Sequence, residues 1–403
     1  MAYQPSEEIL DKYANVLVNF ALGGEKGIKK DDYIYANMPL SALPLYRAIR
    51  KTIFDSGGFM IGGLVDDMDG FGKYFYEHAT PEQLKSFPRP YFKGLVDQID
   101  HRLGVLSEYD VHELDKIDKT KIIEVQKSMK PAVALMDKKE NQGKLTWTIG
   151  LYGTESLAKE AGMSLEEYWK QIIQGCYLDK PNPITEWRKI TEETRRVAKK
   201  LSGLMIDKVH VEGKDVDLWI KIGQDRKWMA GSGRNIPSFE VFTSPDWRGT
   251  EGWIRFNQPN LYYGPRIENI ELHFKKGRVA KASASAHQEM LEAMLDADRG
   301  ARQVGEFSLT DKRLSRITKF MAETLFDENM GGPFGNTHIA IGRSYLETYA
   351  KGAAAVTKTL QRKVGYNESN IHVDFISTTD RTVTATVANG KKLVIYKNGQ
   401  FTV

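Results

Sequence analysis

The chain has 403 residues, 41% hydrophobic and 27% charged, the make-up of an ordinary globular protein. Lys and Arg number 57 against 53 Asp and Glu, and the net charge of +4 is too even to argue for nucleic acid or an anionic membrane as partner. A single cysteine, Cys176, excludes a zinc site built on paired cysteines and an intrachain disulfide, and fits a reducing compartment.

Two domains are expected, because single cores stop growing near about 250–300 residues. The start, MAYQPSEEILDKYANVL, lacks a basic segment followed by an apolar run, and no apolar stretch approaches the length that spans a bilayer. The expectation is a cytoplasmic protein.

In chain order, Ser6 caps a helix carrying Ile9, Leu10, Tyr13, Leu17 and Phe20, closed by Gly23 and Gly24. DYIYANM (32–38) is a strand, PLYRAIRKTIF a helix stopped at Gly57 and Gly58, and FMIGGLV (59–65) the next strand. Strand, helix, strand with short links predicts a parallel sheet. DVHELDKIDKTKIIEVQKSMK reads as a solvated helical face; PAVALM (131–136) and KLTWTIGLY (144–152) read as further strands. Ser164 and Glu167 form a capping box, and Trp187, Ile190, Thr194, Val197 and Leu201 mark one face of another helix.

Near Leu204 helical period gives way to alternation. Val216, Leu218, Ile220 and Ile222 alternate with Asp217, Trp219 and Lys221, and ENIELHFKKGRVAKASAS predicts a hairpin turning at Lys276 and Gly277. HQEMLEAMLDADRGARQ and DKRLSRITKFMAETLF are predicted helices. HVDFIST, RTVTATVA and KKLVIYK are strands, with Asn389-Gly390 and Asn398-Gly399 as type I′ turns. The aromatic stretch PNLYYGP reads as packing or interface. The expected fold is α/β plus α+β: an N-terminal open parallel α/β domain over 1–204, then a β-rich mixed domain over 205–403.

The chemistry-bearing residues gather in the second half. Glu240 lies in IPSFEVFTSP, Glu306 in GEFSLT, His338 and Tyr345 in NTHIAIGRSY, and His372 and Asp374 in IHVDF. Imidazoles, carboxylates and a phenol without thiolate are a ligand set for a pair of divalent metals (Zn, Co or Mn) that activate water. His372 and Asp374, two apart on a strand, project to one face, leaving Val373 and Phe375 for the core. Each residue also has a plainer reading: an ion pair on a solvated strand for His372 and Asp374, a satisfied core histidine for His338, a solvated carboxylate for Glu240 or Glu306. Glu328, in FDENMGG, is a further candidate.

Together these motifs resemble the aminopeptidase T family of metallopeptidases, the thermophilic aminopeptidases or M29 family. WTIGLYGTESLAKEAGMSLEEYW and SGSGRNIPSFEVFTSP carry the resemblance alongside GEFSLT, FDEN, HIAIGRSY and HVDF. It implies an aminopeptidase acting on peptides with a free N-terminus, a homodimer, and a C-terminal catalytic domain holding two metals. The matching ligands are Glu240, Glu306, His338, Tyr345, His372 and Asp374. On that basis Glu306 bridges, Glu240 and His338 serve one ion, and His372 and Asp374 the other. Tyr345 ligates or donates to the oxyanion, and Glu328 is the general base or acid. The rivals are a metal-dependent phosphoesterase, which would want Arg234 or Arg343 as a phosphate clamp, and a non-catalytic metal-dependent binding protein.

Overall fold

A computed structural model describes residues 3–223, 225–261 and 266–403; residues 262–265 of the PNLYYGP stretch lie outside them. The chain divides into two compact units, Met1–Glu186 with Ser232–Pro237, and Trp187–Gly231 with Ser238–Val403. No helix among the described residues is long and apolar enough to cross a membrane.

The first unit opens with α1 (Glu7–Val16), whose first turn is closed by the Ser6 hydroxyl accepting from the Ile9 amide. β1 (Tyr33–Ala36), α2 (Leu43–Asp55) and β2 (Phe59–Ile61) follow. Together with β3 (His101–Leu106) and β4 (Thr146–Leu151) the strands form a wholly parallel sheet in the order β2-β1-β3-β4. The 59–65 run is two short strands, because Gly62 and Gly63 interrupt it and Leu64–Val65 pairs instead with Met38–Pro39. Segment 232–237 returns along β4: the Ile149 amide donates to the Arg234 carbonyl, and its carbonyl accepts from the Ile236 amide.

Two readings in this unit need correction. PAVALM lies in a helix, α3 (Lys130–Asn141), where Pro131 occupies a first-turn position and Lys138 and Lys139 favour the C-terminal end. The strand in its place is β3, whose HRLGVL alternates in burial but carries few β-branched side chains to announce it. The charged stretch before α3 forms a helix at Lys119–Ser128 with no buried residue, as expected of a solvated face.

The second unit takes the helix α4 (Pro183–Gly203) from Trp187 onward, then two antiparallel sheets. The larger contains β5 (Ile206–Gly213), β6 (Val216–Lys221), β8 (Glu251–Arg255), β9 (Glu271–Lys275), β10 (Arg278–Ser283), β14 (Arg381–Val387), β15 (Lys392–Lys397) and β16 (Gln400–Phe401). The smaller has five strands: β7 (Glu240–Thr243), β11 (Val304–Thr310), β12 (Asn336–Gly342) and β13 (His372–Ser377) in the order β13-β12-β11-β7, with Met229–Ala230 at its edge. Leu218 and Ile220 of one sheet share a core with Phe307, Leu309, Ile339, Ile341, Val373 and Phe375 of the other. Burial of each such side chain stabilises by about 1.5–3 kcal/mol, so Phe375→Ala is the kind of change that loosens both sheets.

The turns follow their sequences unequally. Lys276-Gly277 and Asn398-Gly399 have positive φ at both positions, as type I′ requires. At Asn389-Gly390 only Gly390 does, and its amide donates back to the Val387 carbonyl, a type I turn ended by a left-handed glycine. DKRLSRITKFMAETLF is helical only at Thr324–Asp327. Upstream, Asp311 binds the Arg313 amide and side chain and the Phe401 amide, while the Ser315 hydroxyl donates to the Asn329 carbonyl. These tertiary bonds override the helical period.

Candidate metal centre

The two-residue period of the smaller sheet sorts its side chains. Val241, Phe307, Leu309, Ile339, Ile341, Val373 and Phe375 point into the core, so Glu240, Glu306, His338, His372 and Asp374 share the opposite face. Register then aligns them across four adjacent strands. Glu306 pairs with Ala340 and Ala340 with Asp374, while Ser308 pairs with His338 and Gly342 with His372. Gly342 has φ +97°, and a Cβ there would meet the Ile371 carbonyl at 2.2 Å, so any side chain would push away the strand that carries His372.

Ligating atoms gather in two sets, Glu240–Glu306–His338 and Glu306–His372–Asp374, each within 4.8 Å. His338 Nε2 lies 3.4 Å from Glu240 Oε2, 3.5 Å from Glu306 Oε1 and 4.0 Å from Asp374 Oδ1. His372 Nε2 lies 3.3 Å from Glu306 Oε2 and 3.7 Å from Asp374 Oδ1. The opposite ring nitrogen of His372 meets the Arg343 carbonyl at 2.8 Å; as donor there it leaves Nε2 free to ligate. Nδ1 of His338 is buried with no hydrogen-bond partner among the described residues. The hydroxyls of Ser238 and Ser308 donate to Glu240 at 3.4 and 3.3 Å, and the Asn260 side-chain amide donates to the Asp374 carbonyl.

Electrostatics test whether metals suit this cluster. Burial, then the charge of Glu306, pushes Glu240 up to about 7. Burial likewise raises Asp374, and it raises Glu328 well above the carboxylate range with help from Glu240, Asp374 and Glu306. Burial would raise Glu306 too, but hydrogen bonds from His338 and His372 outweigh it and hold Glu306 at about 2. Burial opposes charge on both imidazoles, yet the surrounding carboxylates lift each to about 9. Carboxylates in excess of cations, sunk together on one face, are compensated by divalent ions, and the oxygen and nitrogen donor set suits them. The residues present therefore fit metal binding.

Tyr345 follows β12 and keeps 37% of its surface. Its ring centroid is 4.7 Å from that of His372 and 5.9 Å from that of Phe242. Desolvation, then Glu306 and Asp374, pushes its phenol well above the ordinary value. Glu328 ends the short helix at Thr324–Asp327, and the Asn329 side-chain amide donates to it at 3.4 Å.

Every residue proposed from the sequence thus lies in or beside one cluster. The supporting residues were missed: Ser238 and Ser308 sit two residues from Glu240 and Glu306, a spacing that could have flagged them, whereas Asn260 and Asn329 carry no local signal. Neither candidate phosphate-clamp arginine forms an ion pair with the cluster's carboxylates among the described residues. Arg234 pairs with Glu140 at 2.7 Å in the first unit, and Arg343 is exposed, lending the site only its carbonyl. Among the described residues, Glu240, Glu306 and Asp374 form ion pairs only with the two histidines.

Residues 6–401 match the family model of the thermophilic metalloproteases, M29. The chain belongs to the M29 family. It is 26% identical over 415 aligned positions to aminopeptidase 2 of Geobacillus stearothermophilus, covering 98% of each chain. Aminopeptidase AmpS of Bacillus subtilis is 27% identical, with 97% of this chain and 98% of that one covered. Aminopeptidase T of Thermus thermophilus is 26% identical over 98% of each. The solved structure of wild-type AmpT from Thermus thermophilus superposes with a TM-score of 0.85 at 22% identity, over 98% of this chain and 100% of that one. That likeness establishes a shared M29 fold, mixed α/β with a parallel sheet and large antiparallel sheets.

Proposed function

We propose that this M29 protein is a metal-dependent aminopeptidase that releases N-terminal residues from peptides. The observation that carries the reading is the pair of ligand sets joined through Glu306 on one sheet face. Glu306 is the shared carboxylate, Glu240 and His338 complete one site, and His372 and Asp374 the other. The catalytic domain is the β-rich half expected over 205–403. Two divalent ions held there, zinc, cobalt or manganese, would supply Lewis acidity and a water acidified toward neutral pH.

The protein's own groups do the rest. His372 is oriented by the Arg343 carbonyl, so its donor nitrogen is fixed before a ligand arrives. Glu328, which burial and the neighbouring carboxylates hold protonated in the metal-free protein, would ionise once bound metal offsets that charge, and would then take the proton of the attacking water and pass it to the departing amine. Tyr345 donates its hydroxyl to the oxygen that gains charge as the peptide carbonyl becomes tetrahedral. A phenol, with an ordinary pKa of about 10, holds that proton at neutral pH. Selectivity for a free N-terminus and a homodimeric state rest on the family resemblance, and a cytoplasmic location on the lone Cys176, which fits a reducing compartment.

The test is hydrolysis of aminoacyl-p-nitroanilides and of N-acetylated counterparts after chelation and resupply of Zn²⁺, Co²⁺ or Mn²⁺. Metal-restored cleavage of free-amino substrates alone, lost in Glu306→Gln, is the expected result. Two bound equivalents without turnover on any substrate would overturn the assignment in favour of a binding protein.

A further inference from the structure

Tyr345 is exposed at 37%, yet Ser244 and Thr348, which bind its backbone, are at 0%, and Arg226 and Tyr366, which bind those two in turn, are at 5% and 3%. The contacts close on themselves. The Tyr345 amide donates to the Ser244 hydroxyl at 2.8 Å, and its carbonyl accepts from the Thr348 hydroxyl at 2.7 Å. The one proton of the Thr348 hydroxyl is thereby committed, so the Tyr366 hydroxyl, 3.0 Å away, is the donor between them. The Arg226 guanidinium lies 3.7 Å over the Tyr366 ring, and its Nε returns to the Ser244 carbonyl at 2.6 Å. A further donor, Nη2, reaches the Val364 carbonyl at 2.7 Å.

We infer that this ring, with Arg226 and Tyr366 as its positioning residues, sets where the Tyr345 hydroxyl stands over the metal-binding face. The inference rests on the role given to Tyr345 above. Arg226 ties together the end of β7, the 364–366 segment and the 345–349 turn. The main chain beside it adds two bonds to the same turn: the Lys227 amide to the Thr348 carbonyl, and the Ala350 amide to the Asp225 carbonyl.

The chemistry of the ring is unusual for an arginine. Its hydrogen bonds at Nε and Nη2 go to main-chain carbonyls, and burial lowers its pKa, so desolvation of the charge opposes the arrangement. Lysine could keep the charge but not the planar stack with two directed donors. The ring contacts of the Tyr345 phenol are with Phe242 and His372. A rigid backbone clamp adds to what these contacts fix, and small displacements of a catalytic group are costly.

The experiment compares Tyr366→Phe and Arg226→Met in the metal-loaded enzyme, each alone and combined with Tyr345→Phe, with Tm followed throughout. The expected result is a kcat lowered about tenfold by Tyr366→Phe and about a hundredfold by Arg226→Met, with KM within about twofold. In the Tyr345→Phe background both effects shrink to less than about twofold, because the group being positioned is gone. Equal losses in both backgrounds, or no loss in either, would overturn the inference. If Arg226→Met fails to fold, Tyr366→Phe carries the test, since it removes one oxygen. If Tyr345→Phe is itself fully active, the role assigned to Tyr345 fails, and the ring is judged by 3-fluorotyrosine placed at position 345. A ¹⁹F line that shifts or broadens in Tyr366→Phe supports the clamp, and an unchanged line in both variants refutes it.

Discussion

Each unit buries a histidine among carboxylates and hydroxyls, and the two cases differ in how charge is balanced. In the first, His101 meets Thr146 through Nδ1 at 2.7 Å and Asp32 through Nε2 at 2.9 Å, one imidazole with one carboxylate. In the second, His338 faces Glu240, Glu306 and Asp374 through a single nitrogen, and its other nitrogen is without a partner among the described residues. His101 is satisfied by what surrounds it. His338 and its neighbours hold more negative charge than two imidazoles can answer. Burial beside an acid therefore does not mark a ligand; a surplus of acid does.

The sharpest way to break this comparison is to remove one carboxylate from each region. Glu306→Gln should lower kcat by at least about a thousandfold and halve the bound metal, measured by turnover and elemental analysis. Asp32→Asn should leave kcat within about twofold and lower stability by about 1–3 kcal/mol in urea. Comparable losses of activity from both would undo the distinction.

Tyr345→Phe is expected to lower kcat about a hundredfold with bound metal unchanged, read from kinetics beside metal analysis. Loss of metal instead would make Tyr345 a ligand rather than a donor.

Metal removal should depend on pH in a defined direction. In metal-free protein His338 and His372 titrate at about 9, above the ordinary 6.5, so their contribution to stability is full below 6.5 and fades as pH rises through 9. Glu240, raised from 4.5 to about 7, acts in the same sense between those two values. The same protons must leave before metal binds. The fall in Tm on chelation should therefore be smaller at about pH 6 than at about pH 9, by calorimetry at matched ionic strength.

The smallest effect is a control. His112, exposed and paired with Asp115 and Glu160, should change stability by no more than about 0.5 kcal/mol on replacement by alanine, with activity intact.

Much of the β framework was legible. Alternation at Val216–Ile222, the Lys276-Gly277 and Asn398-Gly399 turns, and the strand reading of the segment holding His372 and Asp374 all act over a few residues, where local sterics dominate. The misread segments are those where distant partners decide. DKRLSRITKFMAETLF has helical spacing but is pinned by Phe401 and Asn329, and β3 is a strand because β1 and β4 flank it.

By itself the sequence determined which donor types the protein owns, that no pair of thiolates is among them, and that strand period puts His372 and Asp374 on one face. It also carried the family motifs in order. Only tertiary structure decided that Glu240, Glu306 and His338 join them, because that depends on the register between strands far apart in the chain. Tertiary structure alone closed the ring from Arg226 through Tyr366 to Tyr345. Hydrogen bonds between remote segments leave no period in a sequence to read.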